Sequence, residues 1–303
     1  SWEYTVNPNG EEVEAYCHED HPTLTFFQSI EDWGFENTLS DNWNNPNIQK
    51  IDDGTGNTVA EVTIDSAISW TIFSNSYTYV KPWKKYRLSW DFTSVWSVDS
   101  KMFYGFAEYD ENLNFIAHSS VVLIPETETI LTQAVTVWSS SLTFEDTDGE
   151  MCARWSPYGQ SIAAAIAFNV DISWEYGDIP NYDYRNIYTF PPYYSSFTLV
   201  DNGDTCTINV NQLMTNIYPV GTTIRLHRDG GSFNYRVLAW STVPGTLSSY
   251  SWEVDGYNNP YWANPSKFRP GTKFIKIMLL TNYSQNGQWA KIQFDNLKLE
   301  EID

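Results

Sequence analysis

Apolar and polar side chains alternate with a period of two along most of the chain beyond residue 33. The clearest runs are NTVAEVTI, AISWTIF, YRLSWDFTSVW and WAKIQFDNLKLEE. Successive side chains of a strand point to opposite faces of a sheet, so this period predicts strands with one buried face. Polar segments such as DDGTGN and KPWKK separate the runs and predict turns. The pattern therefore predicts an all-β chain folded as a sandwich or barrel.

The last of these runs carries the most specific prediction. Ile292, Phe294, Leu297 and Leu299 are expected to contact the core, and the change of phase after Phe294 predicts a bulge. Two hairpins are also predicted. One lies in KMFYGFAEYDENLNFI and turns at residues 110–114; the other joins VGTTIRL to SFNYRVLAW through a DGG turn.

Composition narrows the classes of ligand. Aromatic residues make up 17% of the chain, which raises the expectation of exposed aromatic surfaces as well as buried ones. The 38 acidic and 17 basic residues give a formal charge of −21, which repels nucleic acid and anionic membrane surfaces. Neutral or cationic ligands and calcium ions remain, because carboxylates and amide oxygens suit calcium. No apolar run approaches the roughly 18 residues of a membrane-spanning helix, so membrane insertion is not expected.

The sequence contains no recognisable catalytic motif. GxSxG, HExxH and a phosphate-binding loop are absent, and the four histidines do not have a metal-binding spacing. Cys17, Cys152 and Cys206 are widely spaced, so at most one disulfide can form and a zinc site is not expected. We therefore expect a protein that is not an enzyme.

Two segments resemble the first and last strands of jelly-roll carbohydrate-binding modules related to families 4, 9, 16 and 22. These segments are GFENTLSDNW and KIQFDNLKLEE, and YVKPWKKYRLSWDF between them resembles the strand that follows a proline-marked turn in the family. The order of FYGFAEYDENLNFI, IYPVGTTIRLHRDGGSFNY, WEVDGY and FRPGTKFIKIMLLTNY is similar to that in bacteriophage tail-fibre and receptor-binding proteins. In those proteins a β-rich stretch interrupts the jelly roll.

The resemblance implies a jelly-roll β-sandwich interrupted by an inserted β-rich lobe. Residues 34–125 and 219–303 would form the two parts of the sandwich, and residues 126–218 would form the lobe. Residues 1–33 would be an N-terminal arm or attachment segment. The alternative is two tandem sandwiches that meet near residue 178, because IAFNVDISWE faintly resembles IQFDNLKLEE.

The family often binds a structural calcium ion between its opening and closing strands. The matching positions here are Glu36 and Asp295, which are therefore the predicted calcium ligands. The alternative is that both carboxylates lie near strand ends and face water.

Sugar rings present an apolar face on which Trp or Tyr can stack. The candidate ligand-binding residues lie in polar, Asn- and Pro-rich surroundings, although each could instead pack in a core or interface. They are Trp43, Trp252, Tyr257, Tyr261 and Trp262.

These observations lead to one favoured function and two alternatives. The favoured function is that of a virion-surface protein, a phage tail fibre or receptor-binding subunit, which contacts host-surface glycan and other virion proteins. The resemblance implies a homo-oligomer, and a trimer in particular. The first alternative is an architectural virion protein for head decoration or the baseplate. The second is a carbohydrate-binding module of a secreted polysaccharide-degrading enzyme.

Overall fold

The structure is a computed structural model. It describes residues 3–6, 12–15, 48–63, 71–74, 76–95, 101–158, 164–170, 187–189, 197–210, 213–228, 233–240, 245–258, 264–281 and 291–302. Within these ranges the chain is mostly β-strand, so the all-β prediction is confirmed. The described helices are short and comprise α1 (His118–Val121), α2 (Met151–Trp155) and a 3₁₀ turn at Ser156–Tyr158. No helix in the described ranges is long and apolar enough to cross a membrane.

The described strands pair antiparallel throughout. In chain order they are β1 (Glu3–Val6), β2 (Glu12–Ala15), β3 (Ile48–Asp52), β4 (Thr58–Thr63), β5 (Thr71–Phe73), β6 (Thr78–Tyr79), β7 (Lys85–Ser94), β8 (Lys101–Tyr109), β9 (Thr129–Ile130), β10 (Ser141–Glu145), β11 (Ala164–Phe168), β12 (Ile187–Thr189), β13 (Thr198–Asp201), β14 (Thr205–Asn209), β15 (Thr223–Arg228), β16 (Asn234–Trp240), β17 (Ser248–Asp255), β18 (Phe274–Leu280) and β19 (Lys291–Glu301).

Strands β3 to β8 and β16 to β19 form two five-stranded sheets, and β1 and β2 form a separate pair. The first has the order β17-β7-β19-β4-β3, and the second has the order β16-β8-β18-β5, with β6 also paired to β18. Strand β7 shows why these segments form strands, because Tyr86, Leu88, Trp90 and Phe92 are buried while the residues between them are partly exposed. This alternation places every second side chain on one face of the first sheet.

The buried faces of these two sheets pack against each other. Trp90 of β7 meets Tyr104 of β8, with ring centroids 3.6 Å apart. Phe106 of β8 stacks on Trp252 of β17 with centroids 5.3 Å apart and an interplanar angle of 13°. These rings belong to one core cluster that draws residues from both sheets. Burial of large apolar and aromatic side chains contributes about 1.5–3 kcal/mol each, so this cluster is the main stabilising feature of the pair of sheets.

The predicted contacts of the last strand are confirmed. Ile292, Phe294, Leu297 and Leu299 are all buried in the shared core. The register of β19 against β7 shifts between Asp295 and Lys298, and the backbone at Asn296 is left-handed, with φ of 51°. This irregularity is the expected bulge, and it returns Leu297 and Leu299 to the buried face. The opening segment at residues 34–43 lies outside the described residues.

A second group of strands lies between β8 and β16 in the sequence. Strands β8 and β16 are neighbours in one sheet, with Tyr104 opposite Arg236 and Phe106 opposite Asn234. The intervening chain contributes a four-stranded sheet, β12-β11-β15-β9, and a three-stranded sheet, β10-β14-β13. These two sheets share their own core, which includes Phe144, Trp155 and Leu226. We call this part of the molecule the lobe.

One predicted hairpin is present and the other is wrong. The chain reverses at residues 110–114, where Tyr109 bridges Phe115 and the Asp110 N–H donates to the Asn114 carbonyl. In contrast, β15 does not pair with β16. Strand β15 pairs with β11 and β9 of the lobe, whereas β16 pairs with β8. The reason is that Ile224 and Leu226 of β15 are buried in the lobe core, so the pairing puts β15 with the lobe although the predicted boundary lay at residue 219.

Candidate functional site

The predicted ligand-binding aromatic residues occupy different environments. Trp252 is only 2% exposed, stacks on Phe106, and donates from Nε1 to Ser266 Oγ at 3.2 Å. It is a core residue, so its assignment to a ligand surface is wrong. Its alternation with Val254 on β17 places both side chains on the buried face. Trp43 lies outside the described residues.

Tyr257 follows β17 and is partly buried against the shared core. Hydrogen bonds fix the chain on both sides of the loop that it begins. The Asn258 N–H donates to the Phe268 carbonyl at 2.7 Å, and the Phe268 N–H donates to the Gly256 carbonyl at 2.8 Å. Asn258 Oδ1 accepts from the Asn264 N–H at 2.8 Å. Hydrogen bonds therefore hold the two ends of the loop together, and we call these ends the loop base. Tyr261 and Trp262 lie outside the described residues.

Trp83 is exposed beside this base and was not predicted from the sequence. Its side chain is 64% exposed in the turn between β6 and β7. The turn is closed by the Lys84 N–H, which donates to the Lys81 carbonyl at 2.8 Å. It is joined to the loop base by the Gly256 N–H, which donates to the Pro82 carbonyl at 2.6 Å. A tryptophan within a polar KPWKK turn, out of phase with any strand, was the available signal.

Charged groups around this end of the sheets are balanced. Lys84 pairs with Glu301 at 3.2 Å, Lys85 pairs with Glu253 at 2.6 Å, and Lys267 pairs with Asp255. Hydrogen bonds from Lys85 and Arg87 lower the pKa of Glu253. Since Lys84, Lys85 and Lys267 each have a carboxylate partner, these three lysines do not form a free cationic patch beside Trp83 and Tyr257. We refer to Trp83, Tyr257 and the loop base as the aromatic site.

The predicted calcium ligand Asp295 is buried at the bulge of β19. Its Oδ2 accepts from Asn57 Nδ2 at 2.9 Å, and its Oδ1 accepts from the Asn296 N–H at 2.8 Å. Asp91 lies opposite it on β7 and accepts from Asn296 Nδ2 at 2.7 Å. Glu36 lies outside the described residues. The calcium site therefore stays a prediction that rests on the family resemblance.

One cluster of potential metal ligands occurs in the described ranges, and it consists of Asp146, Cys152 and Cys206. The two cysteines form a disulfide with Cα atoms 5.5 Å apart. Both carboxylate oxygens of Asp146 accept backbone hydrogen bonds, from the Met151 N–H at 2.7 Å and from the Cys152 N–H at 3.1 Å. These bonds satisfy two free donors at the start of α2, so the cluster has a structural explanation.

Glu108, near the end of β8, has an unusually high pKa for a carboxyl group. Burial raises its pKa to about 7, against the opposing effects of Arg269 and Thr272. Its Oε1 accepts from the Arg269 N–H at 2.7 Å and from Thr272 Oγ1 at 3.1 Å, and its Oε2 lies 3.2 Å from Arg269 Nε. Arg269 Nη1 also donates to the carbonyl of Ile116 at 2.7 Å. The carboxyl is completely enclosed, so it has no access to a substrate.

His118 of α1 lies at the start of the lobe. Its Nδ1 is 3.2 Å from the Arg228 carbonyl oxygen. Burial, with a further contribution from the charge of Arg269, lowers the pKa of His118 to about 4. Glu108 and His118 are thus two ionisable groups near one arginine, and burial disfavours the charged form of both.

Comparisons with protein-family models, with curated proteins and with solved structures find no match to this chain. The aromatic site, the charge balance and the sequence resemblance are therefore the features that bear on function.

Proposed function

We propose that this chain is a non-catalytic virion-surface protein, a phage tail-fibre or receptor-binding subunit, which contacts host-surface glycan. We further propose that its two five-stranded sheets form a jelly-roll sandwich and that the lobe is an insertion between β8 and β16. The shared core of the two sheets and the adjacency of β8 and β16 support this layout. The sequence resemblance to phage receptor-binding proteins suggests the setting.

The observation that carries the glycan proposal is the exposed Trp83 beside the fixed base of the Tyr257 loop. An indole that is 64% exposed offers an apolar face of the kind that stacks on a sugar ring. Its turn is tied to the neighbouring loop through Gly256 and Pro82, so the backbone that carries the indole is already ordered before binding. Asn264 is exposed in the same loop base and offers an amide group, whereas Asn258 is buried and holds the base in place.

The charges favour a neutral saccharide. The chain carries a formal charge of −21, so an anionic glycan meets long-range repulsion. Lys84 and Lys85, which follow Trp83 directly in the chain, are each paired with a carboxylate. Hydroxyl groups of a neutral sugar need only hydrogen-bonding partners of the amide type.

Two further features support a non-catalytic extracellular role. The carboxyl group with the raised pKa, Glu108, is enclosed and bound by Arg269 and Thr272, which suits a structural role. The disulfide between Cys152 and Cys206 suits an oxidising environment, because disulfides rarely persist in the cytosol.

The test begins with a glycan array, which selects the neutral oligosaccharide that the protein binds. A soluble monovalent form of that oligosaccharide is then titrated against the protein and against Trp83→Ala, Tyr257→Ala and Trp138→Ala. We expect the Trp83 variant to lose roughly 5- to 30-fold in affinity, since loss of one stacking face is worth about 1–2 kcal/mol.

Trp138 is the matched control, because it is a similarly exposed tryptophan on the lobe. Monovalent titration keeps the measurement independent of how many copies associate. Unchanged affinity of the Trp83 variant, or an equal loss with Trp138→Ala, would remove the aromatic site from the proposal. Absence of any glycan ligand would refute the proposed function.

A further inference from the structure

Two segments of the lobe form an antiparallel ribbon outside the named strands. We call residues 131–139 and 213–222 the lobe ribbon. Val135 and Tyr218 exchange both backbone hydrogen bonds, at 2.8 and 2.9 Å. At one end the Trp138 N–H donates to the Met214 carbonyl at 2.9 Å, and at the other the Leu131 N–H donates to the Thr222 carbonyl at 2.9 Å. The two segments are therefore held together along their whole length.

The ribbon buries apolar side chains and also exposes large apolar ones. Leu131, Val135, Met214 and Tyr218 are buried in the lobe core. A ribbon with one buried face normally presents polar side chains on the other. Here the exposed side chains include five large apolar ones, of which Trp138 is 74% exposed and Ile217 is 69% exposed. The other three are Val137, Leu213 and Val220.

The ribbon also lacks charge. Residues 129–144 and 205–224 contain no Asp, Glu, Lys or Arg, although such residues make up 18% of the chain. The polar side chains between the exposed apolar ones are hydroxyls and amides, such as Thr136 and Asn216. Depletion of charge together with enrichment of aromatic and aliphatic groups is the composition of the core of a protein interface.

Trp138 is held in an unfavourable backbone conformation. Its φ is 76°, in the left-handed region that costs a residue with a Cβ atom about 1–2 kcal/mol. Thr136 and Ser139 brace the turn on either side, because the Thr136 N–H donates to Ser139 Oγ at 3.0 Å and the Ser139 N–H donates to the Thr136 carbonyl at 3.0 Å. The turn thus fixes the backbone from which an exposed indole projects.

We propose that the lobe ribbon is the surface through which this chain associates with a second copy of itself. The five exposed side chains present roughly 400 Å² of apolar surface, about half of the ~800 Å² per partner of a standard interface. The hydroxyl and amide groups between them extend the area. This inference does not rest on the glycan proposal, which concerns the two five-stranded sheets.

The charge of the chain indicates that the partner bound by the lobe ribbon is a second copy of the chain. Two molecules of charge −21 repel each other, and this repulsion is weakest where their facing surfaces carry no carboxylates. A strip without charge offers nothing to a partner that is recognised by complementary charge. It does match itself, since an identical apolar strip buries equal surface in a symmetric contact. Added salt therefore strengthens the association, because it screens the long-range repulsion and leaves the apolar contact intact.

The experiment is sedimentation of the whole chain over a dilution series at low and high salt. The variants are Trp138→Gly and Ile217→Ser, and the matched control is Trp83→Ser, which removes an equally accessible tryptophan from the other part of the molecule. Glycine favours the left-handed backbone at position 138, so Trp138→Gly removes the indole while preserving the fold. A melting temperature close to that of the wild type verifies this.

We expect the wild type and Trp83→Ser to associate with equal strength, more tightly at high salt. Each ribbon variant is expected to weaken association by roughly tenfold or more, as for a central interface residue. A wild-type chain that stays monomeric at all concentrations overturns the proposal, as do ribbon variants that associate like the wild type. If the wild type is already monomeric and the ribbon variants abolish glycan binding, the ribbon is reassigned to the ligand.

Discussion

Two buried ionisable groups near Arg269 are expected to give opposite pH dependences that almost cancel in the wild-type protein. Glu108 has its pKa raised from 4.5 to about 7, mainly by burial. Its neutral form is favoured in the folded state, so its contribution to stability is complete below pH 4.5 and is lost as the pH rises through 7. Between pH 5 and pH 8 this loss amounts to about 2–3 kcal/mol.

His118 acts in the other direction. Its pKa is lowered from 6.5 to about 4, by burial first and by the charge of Arg269 second. Its contribution is therefore complete above pH 6.5 and is lost as the pH falls through 4. Between pH 8 and pH 5 the loss is about 2 kcal/mol. The two groups together leave the wild type nearly equally stable at pH 5 and pH 8, apart from other titrating residues.

Single substitutions separate the two contributions. In Glu108→Gln the side-chain oxygen can still accept from the Arg269 N–H and from Thr272, but it no longer titrates. In His118→Asn an amide N–H can still donate to the Arg228 carbonyl. Relative to the wild type, Glu108→Gln should gain about 2–3 kcal/mol of unfolding free energy between pH 5 and pH 8, and His118→Asn should lose about 2 kcal/mol.

The assay is urea unfolding of the wild type, both single variants and the double variant at pH 5 and pH 8. Differences from the wild type cancel the contributions of all other groups. In the double variant, the change in unfolding free energy between pH 5 and pH 8 should be close to that of the wild type. The assignment of a raised and a lowered pKa to this pair would be refuted if the pH dependence of the unfolding free energy changed in the same direction in both single variants. It would also be refuted if that dependence did not change.

The remaining predictions concern the disulfide and the calcium site. Replacing Cys152 and Cys206 together by Ala should destabilise the lobe by about 4 kcal/mol, because the bond closes a loop of 54 residues in sequence separation. Calorimetry should show the same fall for the reduced wild type, and an unchanged melting temperature in both would contradict this contribution. Calcium at about 100 times its Kd should add about 3 kcal/mol of stability if Glu36 and Asp295 hold the ion. Asp295→Asn and Glu36→Gln should each abolish the calcium-dependent rise in melting temperature, and a wild type that does not respond to saturating calcium contradicts the site.

Period-two patterning was sufficient to predict most features that depend on one strand alone. It gave the all-β class, and it placed Phe294 and Leu299 in the core on either side of the bulge in β19. The same pattern indicates that Trp252 is buried, because Trp252 shares its strand face with the buried Val254. Local turn chemistry likewise located the reversal at residues 110–114. These features are encoded locally because side-chain direction alternates strictly along a strand.

The candidate site was less accessible to this reasoning. A tryptophan is equally consistent with a core and with a ligand surface, and only packing distinguishes Trp252 from Trp83. The segment at residues 252–262 is rich in aromatic residues and was therefore predicted as a ligand surface, whereas Trp83 is the only aromatic residue of a short turn. The structure brings the two together through one hydrogen bond between Gly256 and Pro82, residues far apart in the chain.

The sequence by itself determined which segments are strands and which of their side chains face inwards, because these properties depend on neighbours along the chain. Only the tertiary structure decided which strands pair, since β15 and β16 have equally suitable patterns. Strand β15 pairs within the lobe, where Ile224 and Leu226 are buried, whereas β16 pairs with β8. It also decided that Glu108 and Arg269, 161 residues apart, share one enclosed site. Such partnerships depend on long-range packing, which no local period encodes.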